Sequence, residues 1–285
     1  MSDRAPSVLL LIPAYNEERR IPPVLRDYAA YFRAHYPGDF HIVAVLNGCR
    51  DNTLGVVEAV SEEYPEVKAI EFTAAIGKGG ALIEGLKLAP TADLVGYVDA
   101  DGATAPPAFL ELVQQCKNVD CAIGSRWLPG AVLHQSQSAR RRIFSRIFHI
   151  FVELLFHMRI KDTQCGAKVM RREAIERIHP ALRIADVAFD INLLYSLKRG
   201  GFAIREIPTT WTDQIGSKMS LNKGAFGIIL SVIRLRLFYS PFYNWLRPLR
   251  PLEAWVYKKL RAPQPLPGPD RASPSQARAA ETQNG

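Results

Sequence analysis

The sequence predicts an α/β protein built on a mostly parallel sheet, and two observations predict it. Over the first 125 residues, short apolar runs alternate with segments of helical periodicity, the pattern of strands joined by right-handed helical crossovers. The unusual polar clusters fall just after those apolar runs. In open parallel sheets ligands bind beyond the carboxyl ends of the strands, so the clusters sit where a site is expected.

Residues 8–12 are a continuous apolar run followed by Pro13-Ala14-Tyr15-Asn16-Glu17-Glu18, a strand end and a helix start. Residues 41–46 form a second strand ending in Asn47-Gly48. Residues 67–72 form a third, followed by Gly77-Lys78-Gly79-Gly80 and a helical run over 81–88. Residues 94–98 form a fourth, ending in Asp99-Ala100-Asp101, and 121–123 belong to a fifth.

After Gly124 the pattern changes. Residues 140–158 (RRRIFSRIFHIFVELLFHM) read as a helix with Ser145, Arg146, His149, Glu153 and His157 on one narrow stripe. Its apolar face is broader than a surface helix needs. A second such segment spans 224–245, interrupted by Arg234 and Arg236. Both combine aromatic and aliphatic residues with arginine, as interfacial helices do. The alternative is that they pack on each other or in a homo-oligomer. The chain then divides into 1–220, with 137–160 as an inserted amphipathic helix, 221–260 as membrane-associated helices, and 261–285. That last stretch is dominated by Pro, Ala, Ser, Gln and Gly and is expected to be disordered.

The formal charge of +8 is unevenly spread. Residues 1–125 carry 10 Lys/Arg against 17 Asp/Glu, whereas 126–172 carry 10 against 2. An arginine-rich middle should face an anion such as a phosphate or an anionic lipid; solvated surface charge is the plain alternative. The four cysteines (Cys49, Cys116, Cys121 and Cys165) form no CxxC pair and read as reduced thiols. The N-terminus enters its first apolar run directly, so no signal peptide is expected, and no run reaches the ~18 apolar residues of a spanning helix.

Asp99 and Asp101 stand two apart after an apolar strand, a spacing at which two hard carboxylates can share Mg²⁺ or Mn²⁺. Alone, Asp-x-Asp is weak, because turns after strands commonly use Asp for capping. Gly77-Lys78-Gly79-Gly80 opens a helix whose N-terminus favours an anion. It is not the GxxxxGK[ST] of a P-loop, and no GxGxxG follows the first strand, which removes NTPase and dinucleotide-dehydrogenase readings.

These residues, in this order, resemble family 2 glycosyltransferases of the GT-A fold, a Rossmann-like mostly parallel sheet flanked by helices. The likeness is carried by Ile12 to Glu18, Asn47 to Thr53, Gly77-Lys78-Gly79, Asp99-Ala100-Asp101 and Gly124-Ser125-Arg126. Asp162 to Lys168, Phe189-Asp190 and Gly216-Ser217-Lys218 resemble the dolichyl- and polyprenyl-phosphate sugar transferase branch. The resemblance implies that Pro13, Ala14, Tyr15 and Glu17 surround the nucleobase and ribose. Asn47 and Asp51 then border the base, Lys78 lies near it, and Asp99, Ala100 and Asp101 meet the metal and diphosphate. Where the family usually has Asp-Asp-Gly-Ser this chain has Leu46-Asn47-Gly48-Cys49, which leaves the choice of base open.

A phosphate-monoester acceptor is already anionic at neutral pH, its second pKa being ~6, so it needs no strong general base. It does need arginines to align it with the sugar carbon. Arg126, which lies in a family motif, and Arg141 with Ser145 are the candidates. Asp162, Gln164 and Lys218 are candidates for contacting sugar or acceptor, although Asp162, Gln164 and Gly166 also suit a simple turn. The reading is an inverting, metal-dependent transferase that moves a hexose from UDP-glucose or GDP-mannose to a polyprenyl or dolichyl phosphate. It would be peripheral at the cytoplasmic membrane face. The alternatives are a soluble family 2 enzyme with a small-molecule or glycan acceptor, or an inactive nucleotide- or lipid-binding module. No RNA-binding motif is present and no nucleic-acid partner is expected.

Overall fold

The computed structural model describes residues 4–133, 139–186, 188–212 and 221–240, without the side chains of 139–144 and 221–226. Lys218, the segment 241–260, the tail over 261–285 and the side chain of Arg141 therefore lie outside the described residues.

Strand β1 (Val8–Ala14) is followed by α1 (Ile21–His35), β2 (Phe40–Asn47), α2 (Thr53–Glu63), β3 (Val67–Phe72) and α3 (Gly77–Gly85). Then come β4 (Leu94–Tyr97), α4 (Pro106–Gln115), β5 (Cys121–Ser125), the short β6 (Val132–Leu133) and α5 (Ala139–Phe156). The described chain continues through β7 (Lys168–Arg171), α6 (Arg172–Ile178), α7 (Phe189–Arg199), β8 (Ile204–Pro208), β9 (Thr210–Trp211) and α8 (Leu221–Phe238). The main sheet has the order β3-β2-β1-β4-β7-β5-β8. Its pairings are parallel except those of β7, which runs antiparallel to both β4 and β5.

Side-chain alternation along β1 and β2 builds two cores, one on each face of the sheet. Leu9, Leu11, Val43 and Val45 face a core completed from α3, α6 and α7. Val8, Leu10, Ile12, Ile42, Ala44 and Leu46 face one completed from α1, α2 and α4. Strands buried on both faces must be apolar throughout, which is why β1 reads as VLLLIPA. The four cysteines are free, and Cys116, Cys121 and Cys165 are buried.

The two arginine-bearing helices pack on the domain and on each other. On α5, Phe148, Val152 and Phe156 turn inward, while Ile147, Ile150 and Leu154 lie outward, Leu154 being 71% exposed. On α8, Val232 and Leu235 join the core, and Arg236 donates to the Leu155 carbonyl of α5 at 2.9 Å. Beyond α8, the Tyr239 hydroxyl meets Ser196 and Asn192 of α7. Among the described residues no helix is long and apolar enough to cross a membrane.

Candidate active site

The carboxyl ends of β1, β2, β4 and β5 open toward one edge of the sheet, and loop chemistry fixes what stands there. After β1 and β2 the two loops are stitched together. Asn16, in the left-handed region at φ 55, accepts from the Arg50 N–H at 2.8 Å. The Glu17 N–H donates to the Thr53 hydroxyl at 3.0 Å, and Glu18 accepts from the Asn52 N–H at 3.1 Å. Asp51 accepts from the Thr53 hydroxyl and from the Glu18 N–H. Slight burial opposes its charge, but these donors hold its carboxyl below the ordinary range. Glu17 is clamped by Nε and Nη2 of Arg20, each at 2.6 Å. Pro13 and Ala14 end β1, and Tyr15 beyond them is 42% exposed.

The glycine-rich opening of α3 is filled by protein. Asn47 is buried, and its Oδ1 accepts from the N–H groups of Ile76 at 2.6 Å and Gly77 at 3.0 Å. Those are amides that an anion at this helix end would have used. At Gly79 a Cβ would stand 2.7 Å from both the Ala185 carbonyl carbon and the Phe189 Cβ, so glycine serves helix packing there. At an N-terminus expected to favour an anion, two of the amides are therefore already taken by Asn47. Asn47 is a cap that ties β2 to α3.

After β4 the chain turns through Asp99, Ala100, Asp101 and Gly102, the last at φ 74. Lys78 Nζ pairs with Asp99 Oδ1 at 2.5 Å, although the Lys78 side chain is still 41% exposed. Desolvation opposes the lysine's charge, but Asp99 and Asp190 raise its pKa. The other oxygen of Asp99 faces Gly166, where a Cβ would come within 2.2 Å of it. Any side chain at 166 would displace Asp99. Asp101 accepts from the Ala103 N–H at 3.0 Å. Its carboxyl is pushed up by burial and then by the charge of Asp99, against the pull of Lys78 and Arg20.

A cation between these two acids would relieve that repulsion, so the pair fits a divalent metal. Among the described residues no third His, Cys, Asp or Glu joins them. Such a cation would take its remaining ligands from water and substrate oxygens, as Mg²⁺ and Mn²⁺ do.

Beneath this pair lies a network whose residues Lys168 and Asp190 fall in motifs that the resemblance marked, but whose partnership sequence reasoning missed. Lys168 on β7 is fully buried and its amine donates to Asp190 Oδ1 at 2.5 Å and to the Cys165 carbonyl at 2.6 Å. The Tyr97 hydroxyl of β4 donates to the same oxygen at 2.5 Å. Burial works against the Asp190 charge, but Lys168 first and Lys78 second hold its pKa below the ordinary value. A lysine inside the run Lys168-Val169-Met170 was the available signal.

Arg126 ends the β5 edge. Its Nε and Nη2 donate to Asp162 at 2.7 and 2.8 Å, and its own N–H donates to Asp162 Oδ2 at 3.0 Å. Asp162 is in turn oriented by Glu206, which accepts the N–H groups of Lys161 and Asp162. Two arms of the Arg126 fork are thus engaged inside the protein, which restricts it as a bidentate clamp for a phosphate. Gln164 lies two residues on, with its Nε2 buried. Trp127 connects this corner to α5, with Arg146 5.9 Å and His149 6.2 Å from its ring. Ser145 is half-buried near the start of α5.

A family model described as glycosyl transferase family 2 matches residues 9–179, which takes in all these loops except that of Asp190 and Glu206. The chain belongs to glycosyl transferase family 2. Within the family it is related to the dolichyl-phosphate beta-glucosyltransferase branch. It is 32% identical over 242 residues to the Dictyostelium discoideum protein of that name, covering 81% of this chain and 74% of the relative. The human protein of that name is 31% identical over 227 residues, covering 74% and 68%. Among solved structures, the chain resembles glucosyl-3-phosphoglycerate synthase from Mycobacterium tuberculosis in complex with Mn²⁺, UDP and glucosyl-3-phosphoglycerate. That match has a TM-score of 0.60 at 16% identity, covering 81% of this chain and 80% of that one. This last likeness confirms the fold expected of a family 2 glycosyltransferase.

Proposed function

We propose that this family 2 glycosyltransferase moves glucose from UDP-glucose to an acceptor bearing a phosphate, the first choice of acceptor being a polyprenyl or dolichyl phosphate. The observation that carries the donor half is the Asp99–Asp101 pair, set at the carboxyl end of β4 and backed by Lys78 and Gly166. Asp99 and Asp101 would hold Mg²⁺ or Mn²⁺, which supplies a Lewis acid for the departing diphosphate. Pro13, Ala14, Tyr15, Glu17, Asn47 and Asp51 surround the nucleotide, with Asn47 acting by fixing α3 rather than by accepting from the base. Lys78 holds Asp99 in place and adds positive charge beside the diphosphate.

In the transfer step an acceptor phosphate oxygen forms a bond to the anomeric carbon as the bond from that carbon to the diphosphate breaks. The electron pair leaves with the nucleotide diphosphate, and the configuration inverts. Arg126, Arg141 and Ser145 align the acceptor phosphate, Arg126 mainly by its charge because Asp162 fills its fork. Gln164 and Lys218 contact sugar or acceptor.

The lipid acceptor is supported by the names of the sequence relatives, and with it goes a peripheral position at the cytoplasmic membrane face. The outward stripe Ile147, Ile150 and Leu154, on a helix that begins with arginines, supports them too. The second reading is a family 2 enzyme with a small phosphorylated acceptor, and the comparisons carry it further. Some of the solved neighbours are complexes with phosphoglyceric acid. The deciding experiment supplies labelled UDP-glucose and GDP-mannose with Mn²⁺, and offers polyprenyl phosphate in one arm and phosphoglyceric acid in the other. Lipid-extractable label supports the first reading, and label confined to the aqueous phase with the second acceptor overturns it.

A further inference from the structure

The two acids of the pair are held by different parts of the molecule. Asp99 is fixed by Lys78 of α3, a helix on one face of the sheet. The turn that carries Asp101 rests on α1, which packs on the other face.

Arg20, Val24 and Tyr28 recur at every fourth residue from the start of α1, so they share one stripe. Each addresses a different residue of the turn 101–104. Glu17 closes the fork of Arg20, and the arginine's charge acts favourably on Asp101. A Cβ on Gly102 would stand 3.1 Å from Val24 Cγ2. The Tyr28 hydroxyl donates to the Thr104 carbonyl at 2.9 Å, joining residues 76 apart in sequence.

Packing fixes the phenol itself. The Tyr28 ring is 1% exposed, with its centroid 6.4 Å from that of Phe32 and 5.9 Å from that of Phe109. Phe109 lies against β4, where a Cβ on Gly96 would meet its ring at 2.7 Å. On the turn, the Ala103 carbonyl accepts from the Thr212 N–H at 3.0 Å. The Ala103 N–H donates to Asp101 Oδ1 at 3.0 Å, while Oδ2 makes no hydrogen bond among the described residues. With glycine at φ 74 in its middle, the turn is conformationally permissive, so its shape depends on what seats it.

We propose that Val24 and Tyr28 are positioning residues for the divalent cation: they seat the turn 101–104 and so hold Asp101 in place beside Asp99. Neither touches the cation. The inference rests on the metal reading given above and adds residues, far outside the motif, that set the affinity for the ion.

The test titrates Mn²⁺ into the full chain with saturating UDP and follows the loss of the free ion's electron paramagnetic resonance signal. Tyr28→Phe keeps the ring and deletes only the hydroxyl. It should raise the Mn²⁺ Kd about three- to tenfold, the range that one neutral hydrogen bond can transmit. Tyr36→Phe is the matched control, because Tyr36 caps the other end of the same helix and its hydroxyl donates to the Pro6 carbonyl. It should leave the Mn²⁺ Kd at the wild-type value even where it lowers the melting temperature. A Kd unchanged in Tyr28→Phe, or raised equally in both variants, overturns the positioning role and leaves the metal reading standing. A wild type that binds no Mn²⁺ overturns both. Should Tyr28→Phe fail to fold, Val24→Ala carries the same expectation against the same control.

Discussion

The two sides of the active-site edge are finished to different degrees. On the nucleotide side, where the loops after β1 and β2 meet, Asn16, Glu17, Glu18, Asp51 and Thr53 take part in hydrogen bonds that cross-link residues 33–36 apart. On the side formed by β5, β9 and α5, polar atoms stand unpaired and Ile147, Ile150 and Leu154 face outward. One side is organised by its own hydrogen bonds, and the other turns an apolar stripe to its surroundings. The metal pair sits on the boundary between them.

The harshest way to break this contrast is to strike the network beneath both sides. Lys168→Met leaves Asp190 buried and unpaired, and breaking a buried pair from one end costs about 3–5 kcal/mol. Urea unfolding should show that loss, and a change under ~1 kcal/mol would mean the pair is incidental. The pH dependence has a definite sign. Because the folded pKa of Asp190 lies below its ordinary value of 3.8, its contribution is present above that pH and disappears as the pH falls through the folded value. Asp190→Asn should therefore flatten part of the acid limb of stability against pH.

Next in size is Asp101→Asn, which should lower transfer by roughly a hundredfold or more while unfolding stays within ~1 kcal/mol of wild type. Removing Asp99's neighbouring charge even relieves repulsion in the metal-free protein. Transfer rates with Mn²⁺, Mg²⁺ and EDTA check it, and full activity in EDTA sinks the metal assignment.

A smaller effect is expected at Asn47→Ala. Loss of the cap on Ile76 and Gly77 should cost about 0.5–2 kcal/mol in stability and weaken UDP binding through the displaced α3. If the variant melts normally and only the base preference changes, Asn47 reads the base directly. Smallest of all is the pair Ile150→Ser and Leu154→Ser, exposed changes that should alter stability by less than ~0.5 kcal/mol each. Flotation with anionic liposomes should nevertheless weaken. A wild type that never floats would favour the small phosphorylated acceptor.

The same contrast separates what the sequence showed from what it hid. The strands expected at 8–12, 41–46, 67–72, 94–98 and 121–123 all exist, because each is a local apolar run whose period needs no partner to be recognised. Helix α5, at Ala139–Phe156, lies within about two residues of the 140–158 expected. Strand β7 was hidden. It is four residues long, begins with a lysine, and is a strand only because β4 and β5 flank it. At the site, the adjacent pair Asp99 and Asp101 was legible from spacing. The partnership of Arg126 with Asp162 and that of Asn47 with α3 were not, since each joins residues 29–36 apart that no local pattern relates.

The antiparallel strand β7 also dictates an order of assembly. It lies between β4 and β5 in the sheet, yet it is synthesised 43 residues after β5 ends, once α5 has been made. At about 5–20 residues per second on the ribosome, β4 and β5 must wait seconds for the strand that separates them. Parallel β1 to β3 can pair in that interval, as can β4 with β1, so half the sheet is built around a gap. Gly166 and Lys168 arrive only with β7 and Asp190 only with α7, so until then Asp99 has Lys78 alone and the buried network does not exist. A nascent chain stopped before Lys168 would carry its nucleotide loops and both metal-binding aspartates, and still have no working centre.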